Sequence, residues 1–296
     1  MNKIIVGLIL CLLASLAHAV HISPNGMGQV LIFPYYNTRG DNDTLISVVN
    51  HSDDVKALKV RVLEGENGRV AAQFSLYLSH NDTWTASLTE GVSGPVIRAN
   101  DPSCSAPYFF LGSGELALTL NSVINLPDQG RETIDRIREG YIEITEMGVV
   151  SLDGMGRYAV TTGSIHDNEI DTPFNCEGLN AAWDESSNDP VWVNDPQVDM
   201  LPPTGGLSGQ GVVINISGAR AASYEAVALA NFYQPELDMA PSLHEAPNAG
   251  MLSLASVAPQ QSQLMIKTDD GIEVITDQWS TGVEAVSAAL TTRAFL

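Results

Sequence analysis

Asp167, Glu169 and Asp171 stand at alternate positions in "HDNEID". On an extended segment alternate side chains face one way, so these three carboxylates could supply oxygens to a calcium ion, which takes about six to eight. The helix–loop–helix calcium pattern is not met, because Thr172 stands where the turn glycine is needed. "DNDT" at 41–44 and "DESSND" at 184–189 are weaker versions of the same chemistry. The competing reading is that all of these are solvated loop acids, so the expectation is either no cofactor or calcium at Asp167, Glu169 and Asp171. Arg39-Gly40-Asp41 is a second arrangement with chemistry attached, since a displayed carboxylate of this kind can engage a metal-bearing receptor. "TRGDND" is also ordinary turn composition, and a hairpin tip between two strands is the expectation here.

Other reactive groups lack partners that spacing can identify. No G-x-S-x-G occurs, and "GLSGQG" and "LGSGE" miss its spacing. There is no H-x-x-x-H or C-x-x-C pair to hold zinc, and "TGGLSGQG" lacks the Lys-Ser/Thr of a phosphate loop. Two carboxylates for glycoside hydrolysis need only meet in space, and nothing in the sequence selects a pair. Among the aromatic residues, Trp183 and Trp192 lie in a polar loop region and are the pair placed to form a ligand platform, although tryptophan in a β-sandwich more often anchors a core or a loop. Of the three cysteines, Cys11 lies in an apolar leader. Cys104 and Cys176 remain for one disulfide, which would stabilise the fold by on the order of 4 kcal/mol through loop entropy.

The elements that must position these groups are strands. Leu58, Val60 and Val62 alternate with Lys59 and Arg61, and Ala72, Phe74, Leu76 and Leu78 alternate with Gln73, Ser75 and Tyr77. Asn67-Gly68 between the two runs is a hairpin signal. "QVLIFPYY", "TLISVVN" and "DTWTASL" read as further strands. "SGELALTLNSVI" is another, and "GRETIDRIREGYIEITEMGVV" starts with a helical turn and becomes a strand from Tyr141. Residues 163–207 are rich in Asp, Asn, Pro and Gly and read as long connections. Strand character returns over Val212–Ile216, an Ala-rich piece of either strand or helix follows, and a helix-like run begins at Val283. Half-buried alternation of this kind predicts a mainly β protein, an antiparallel β-sandwich of Ig-like type with a loop-rich second β region.

The ends and the charge bound the compartment. Lys3, the apolar run Ile4–Leu16 and Ala17-His18-Ala19 match a secretory signal peptide cleaved before Val20, and no later run reaches the roughly 18 apolar residues of a membrane span. The expected organisation is a signal peptide over 1–19, an N-terminal β-sandwich over 20–127, and a second β-rich region with long loops over 128–296, tied to the first by the disulfide. The net charge of −21 disfavours nucleic acid and anionic lipid as partners.

"GQVLIFPYYNTRGDNDTLISVVNHSDDVKALKVRVLEG", "NDTWTASL", "REGYIEITEMG" and "PFNCEGLNAAW" are similar to an uncharacterised family of secreted proteobacterial proteins with no assigned activity. The resemblance runs from about Gly28 to the end. It implies an exported protein of this class, adds no catalytic residue, and implies relatives that continue past the position of Leu296. Where those relatives carry a Gly/Asn-rich turn, this chain has "TRGDND". The functional expectation is a non-enzymatic cell-surface or extracellular protein with a structural or adhesive role, meeting a protein or glycan partner or itself through exposed strand edges. The rival readings are a secreted carbohydrate-binding module or hydrolase, and a periplasmic chaperone-like binder.

Overall fold

The computed structural model describes residues 20–107, 114–119, 130–151, 176–188, 190–233 and 242–249, together with the backbone of 261–268 and 271–278. Asp167, Glu169, Asp171 and the run from Val283 lie outside the described residues.

The strands in chain order are β1 (His21–Ile22), β2 (Val30–Asn37), β3 (Asn42–Asn50), β4 (Lys56–Glu64), β5 (Val70–Leu78), β6 (Thr83–Gly91), β7 (Gly94–Arg98), β8 (Cys104–Ala106) and β9 (Glu115–Ala117). A short 3-10 helix, Ile134–Arg138, leads into β10 (Glu139–Val150). Two short helices, α1 (Cys176–Ala181) and α2 (Val191–Asn194), precede β11 (Met200–Leu201), β12 (Leu207–Asn215), β13 (Arg220–Glu225) and β14 (Val227–Ala230). A separate hairpin pairs β15 (Gln261–Thr268) with β16 (Gly271–Gln278).

All pairing is antiparallel, in two open sheets. The larger runs β1-β14-β2-β10-β4-β5-β8 with β11 beside β10, and the smaller runs β13-β12-β3-β6-β7-β9. The expected antiparallel β-sandwich is therefore what the chain builds. Strands on both sides of residue 127 enter both sheets: β10 sits between β2 and β4, and β12 adds to β3. Two strand readings are resolved by context. The Ala-rich piece over Arg220–Glu225 is strand, because β12 offers it a ladder. β2 and β3 do not form a simple hairpin, because each continues into a different sheet.

The core lies between the sheets. Leu31, Phe33, Leu58, Val60, Val62, Phe74, Leu76, Ile142 and Ile144 of the large sheet meet Ile46, Val48, Trp84, Leu88 and Ile97 of the small one in one buried cluster. Burial of apolar area at roughly 25 cal/mol per Å² is the main force holding the layers together. The alternation in β4 puts Lys59 and Arg61 on the opposite face, as read from the sequence, but that face is not open to water. Residues 176–201 and 242–249 form a third layer over it. Their second cluster joins Val55, just before β4, and Ala57, Tyr77 and Met147 of the sheet to Leu179, Ala182, Val191, Trp192 and Met200 of the covering layer. The Cys104–Cys176 disulfide, with a sequence separation of 72 and a Cα–Cα distance of 5.1 Å, fastens this layer to the edge strand β8.

Candidate functional site

The densest set of functional side chains lies where the covering layer meets the outer face of the large sheet. Tyr77 points there because it alternates with Leu76 and Leu78, which fill the inter-sheet core. Trp192 comes from α2, Trp183 from the turn after α1, and His244 from the segment 242–249. Tyr77 and Trp192 stack with centroids 5.7 Å apart and planes within 2°. His244 stands edge-on to Trp192 at 4.7 Å and lies 5.0 Å from Trp183. The hydrogen bonds form one chain. Trp183 Nε1–H donates to the Tyr77 hydroxyl at 2.9 Å. The hydroxyl lies 3.0 Å from His244 Nε2, and His244 Nδ1 is 2.6 Å from the Pro196 carbonyl. A carbonyl only accepts, so Nδ1 carries the proton, and neutral Nε2 then accepts from Tyr77. Burial pushes His244 down to about 4; the Pro196 bond opposes this and the Lys59 charge adds to it. Burial likewise pushes the Tyr77 hydroxyl well above its ordinary range. Trp192 is fully buried and offers no open face, and Trp183 is half-buried. The arrangement locks the layer to the sheet, with each polar atom of the chain assigned a partner.

Two buried ion pairs lie at opposite ends of β4, where β10 passes antiparallel to it. Lys56, the first residue of β4, places Nζ 2.8 Å from Glu146 Oε1, both side chains fully buried. Nζ also donates to Thr204 Oγ1, and Glu146 accepts from the backbone N–H of Thr204 at 2.9 Å and of Gly205 at 2.7 Å. Burial raises the Glu146 carboxyl despite the facing Lys56. Glu64, the last residue of β4, accepts from Arg136 Nη2 at 3.1 Å and from the N–H groups of Glu66, Asn67 and Arg69 at 2.7–3.0 Å. Burial pushes Glu64 up, but the Arg136 guanidinium and the three N–H donors outweigh it and hold the carboxyl below its ordinary range. On the outer face, Lys59 Nζ is 3.1 Å from Glu245 Oε1 and donates to the Ala246 carbonyl at 2.7 Å, which pins the segment 242–249.

The Arg-Gly-Asp turn is internally tied. Gly40 and Asp41 have φ of +58° and +64°, and Asn42 N–H donates to the Arg39 carbonyl at 3.1 Å, the geometry of a type I′ turn. Arg39 folds back on Asp135 and Glu139, 3.7 and 3.3 Å away. Asp41 accepts from Ser217 Oγ at 3.1 Å. The neighbouring Arg138 is clamped by Glu90 and Asp135, each at 2.7 Å.

Sequence reading did not single out His244, Lys56, Glu64 or Glu146. The side-chain pairs Lys56–Glu146, Tyr77–His244 and Glu64–Arg136 span 72 to 167 positions in sequence, and no local pattern reports contacts of that range. Cys104 and Cys176 meet as expected. Among the described residues there is no group of three or more His, Cys, Asp or Glu that could hold a metal ion, and no helix long and apolar enough to cross a membrane.

β13 borders the small sheet, is paired among the described residues only with β12, and is exposed at Arg220, Ala221, Ala222, Ser223 and Glu225. Tyr224 holds it in place: its ring covers Gly211, and its hydroxyl donates to the Tyr35 carbonyl of β2. Comparisons with models of protein families, with curated proteins and with solved structures found no match.

Proposed function

We propose that this chain is an exported, non-enzymatic interaction protein of the cell surface or extracellular space, and that it meets its partners through sheet edges. The observation that carries this reading is β13, an exposed strand six residues long that borders the small sheet and pairs, among the described residues, with β12. An unpaired edge is a template for strand addition, with affinity from main-chain hydrogen bonds. Among the described residues, the buried polar clusters are occupied in internal networks: the Trp183–Tyr77–His244 hydrogen bonds and the Lys56–Glu146 and Arg136–Glu64 pairs. The disulfide fits an oxidising compartment, in keeping with the leader-like start of the chain.

Protease treatment of intact cells tests the placement. The protein is expected to be degraded while a periplasmic marker survives. Protection of the protein under those conditions, with digestion only after the outer envelope is opened, would move it to the periplasm and sink the surface reading.

A further inference from the structure

We propose that Lys56 and Glu146 condense into an intramolecular amide, a covalent bond from the start of β4 to β10 that forms once the chain has folded and releases one water molecule. Such a bond is internal to the chain and independent of what its surface meets.

The geometry is that of two reactants held together. Lys56 Nζ lies 2.8 Å from Glu146 Oε1, with both side chains fully buried. Groups held in near-attack contact, about 3–3.5 Å apart, reach effective concentrations on the order of 10⁵ M or more. That offsets the unfavourable condensation of an amine with an acid in water. The carboxyl is held as an electrophile is held in acyl transfer. Thr204 N–H donates to Oε1 at 2.9 Å and Gly205 N–H donates to Oε2 at 2.7 Å. Each oxygen thus meets a backbone donor that stabilises charge developing on it as the carbon becomes tetrahedral. A proton acceptor also reaches the amine. Asp54 Oδ2 is 3.6 Å from Nζ, and the Thr204 hydroxyl joins the two: it accepts from Nζ and donates to Asp54 Oδ2 at 3.0 Å.

The reaction balances without a co-reactant. One Nζ proton crosses to Oε1, which turns the ion pair into an amine and a carboxylic acid. Burial favours this step, because it removes two charges from a site shut off from water, and burial already raises the Glu146 carboxyl. The Nζ lone pair attacks Glu146 Cδ, and the C=O electron pair moves to Oε2, facing the Gly205 N–H. A second Nζ proton passes through the Thr204 hydroxyl to Asp54. The electron pair on Oε2 then returns, the Cδ–Oε1 bond breaks, and Oε1 leaves as water with the proton handed back through Thr204. Of the three ammonium hydrogens, one stays on the amide and two leave in the water, and the two charges cancel.

The second buried pair shows what the site requires. Glu64 also accepts backbone N–H groups, but its cation is the Arg136 guanidinium, which stays protonated in proteins and has no amine lone pair to attack with. That pair stays ionic. Lys56 and Glu146 are 90 positions apart, so the amide closes a long loop and fastens β10 where it runs between β2 and β4.

The test is intact mass spectrometry of the full chain after reduction and denaturation, followed by tryptic mapping, beside a Lys56→Arg variant. Arginine keeps a cation against Glu146, so the fold stands, as circular dichroism will confirm, but it does not condense. The wild type is expected to be lighter by one water than the sequence from its observed N-terminus. It should yield a branched peptide joining the Lys56 and Glu146 segments, with no cleavage after Lys56. K56R should carry the full mass of its sequence. Wild-type protein that carries its full mass and is cut after Lys56 overturns the proposal, and so does a one-water loss that persists in K56R or maps to another pair. If K56R does not fold, the wild-type mass and map decide alone.

Discussion

His244 shows how one side chain couples this fold to pH. Its neutral form is required, because Nε2 accepts from Tyr77 while Nδ1–H is held by Pro196. The folded value, lowered to about 4, lies below the ordinary 6.5. Above pH 6.5 the imidazole is neutral in both folded and unfolded chains, and its contribution to stability is fully present. As pH falls from 6.5 towards 4 the unfolded chain takes up the proton first, and stability is lost. Urea unfolding at pH 7 and pH 4 should show a loss of about 3 kcal/mol from this group, read as the difference between the wild type and His244→Phe, which has no proton to bind. The Arg136–Glu64 pair makes a second residue-scale prediction. Replacing Arg136 by Met leaves Glu64 buried without its cation, and the expected cost is about 3–5 kcal/mol. Adding Glu64→Leu to the same chain should recover part of that loss, measured by urea unfolding of both variants at pH 7.

Among the elements, the covering layer is the part least supported by backbone pairing. α1 and α2 are short, and β11 contributes two residues beside β10. The layer depends on the aromatic cluster, on Lys59 holding the segment 242–249, and on the disulfide. Replacing both Cys104 and Cys176 by Ala should lower stability by roughly 4 kcal/mol by the loop-entropy argument. Limited proteolysis of that variant should cut first within 176–201, while the strands of the sandwich stay resistant; cleavage starting in β4 or β10 would refute this picture. β10 itself shows why certain glycines stand where they do. A Cβ at Gly140 would run into the carbonyl oxygen of Leu63 on the neighbouring β4, so the close approach of the two strands beside the Glu64 site needs that residue.

At the scale of the whole molecule, the charge of −21 sets a background of self-repulsion that destabilises the compact state. The Lys56–Glu146 and Arg136–Glu64 pairs are buried, where salt screens them little, so screening acts mainly on the surplus surface carboxylates. The melting temperature should therefore rise between about 10 mM and 150 mM salt, as the Debye length shrinks from about 30 to 8 Å. A fall would mean that exposed pairs such as Arg98–Glu115 contribute more than the net charge costs.

Much of the architecture was legible because strands announce themselves locally. The alternation over 58–62 and 72–78, with Asn67-Gly68 between them, reports the β4–β5 hairpin, since period two and turn chemistry are properties of neighbouring residues. The disulfide was legible by counting, with two cysteines left once Cys11 is assigned to the leader. Lys59 was read correctly as facing away from Leu58 and Val60. That its face is covered was not legible, because the covering comes from residues nearly 190 positions later. The same limit applies to Trp192, whose polar surroundings in sequence suggested exposure while Tyr77 and His244 enclose it in space. The Ala-rich run over Arg220–Glu225 has no strong preference of its own, and becomes a strand only because β12 supplies the ladder. The sequence by itself thus determined the alternating strands of the first third, the turn at Asn67-Gly68 and the cysteine pair. Only the tertiary structure decided which sheet each strand joined and which charges were buried together, because those depend on contacts between residues far apart in the chain, about which local pattern carries no information.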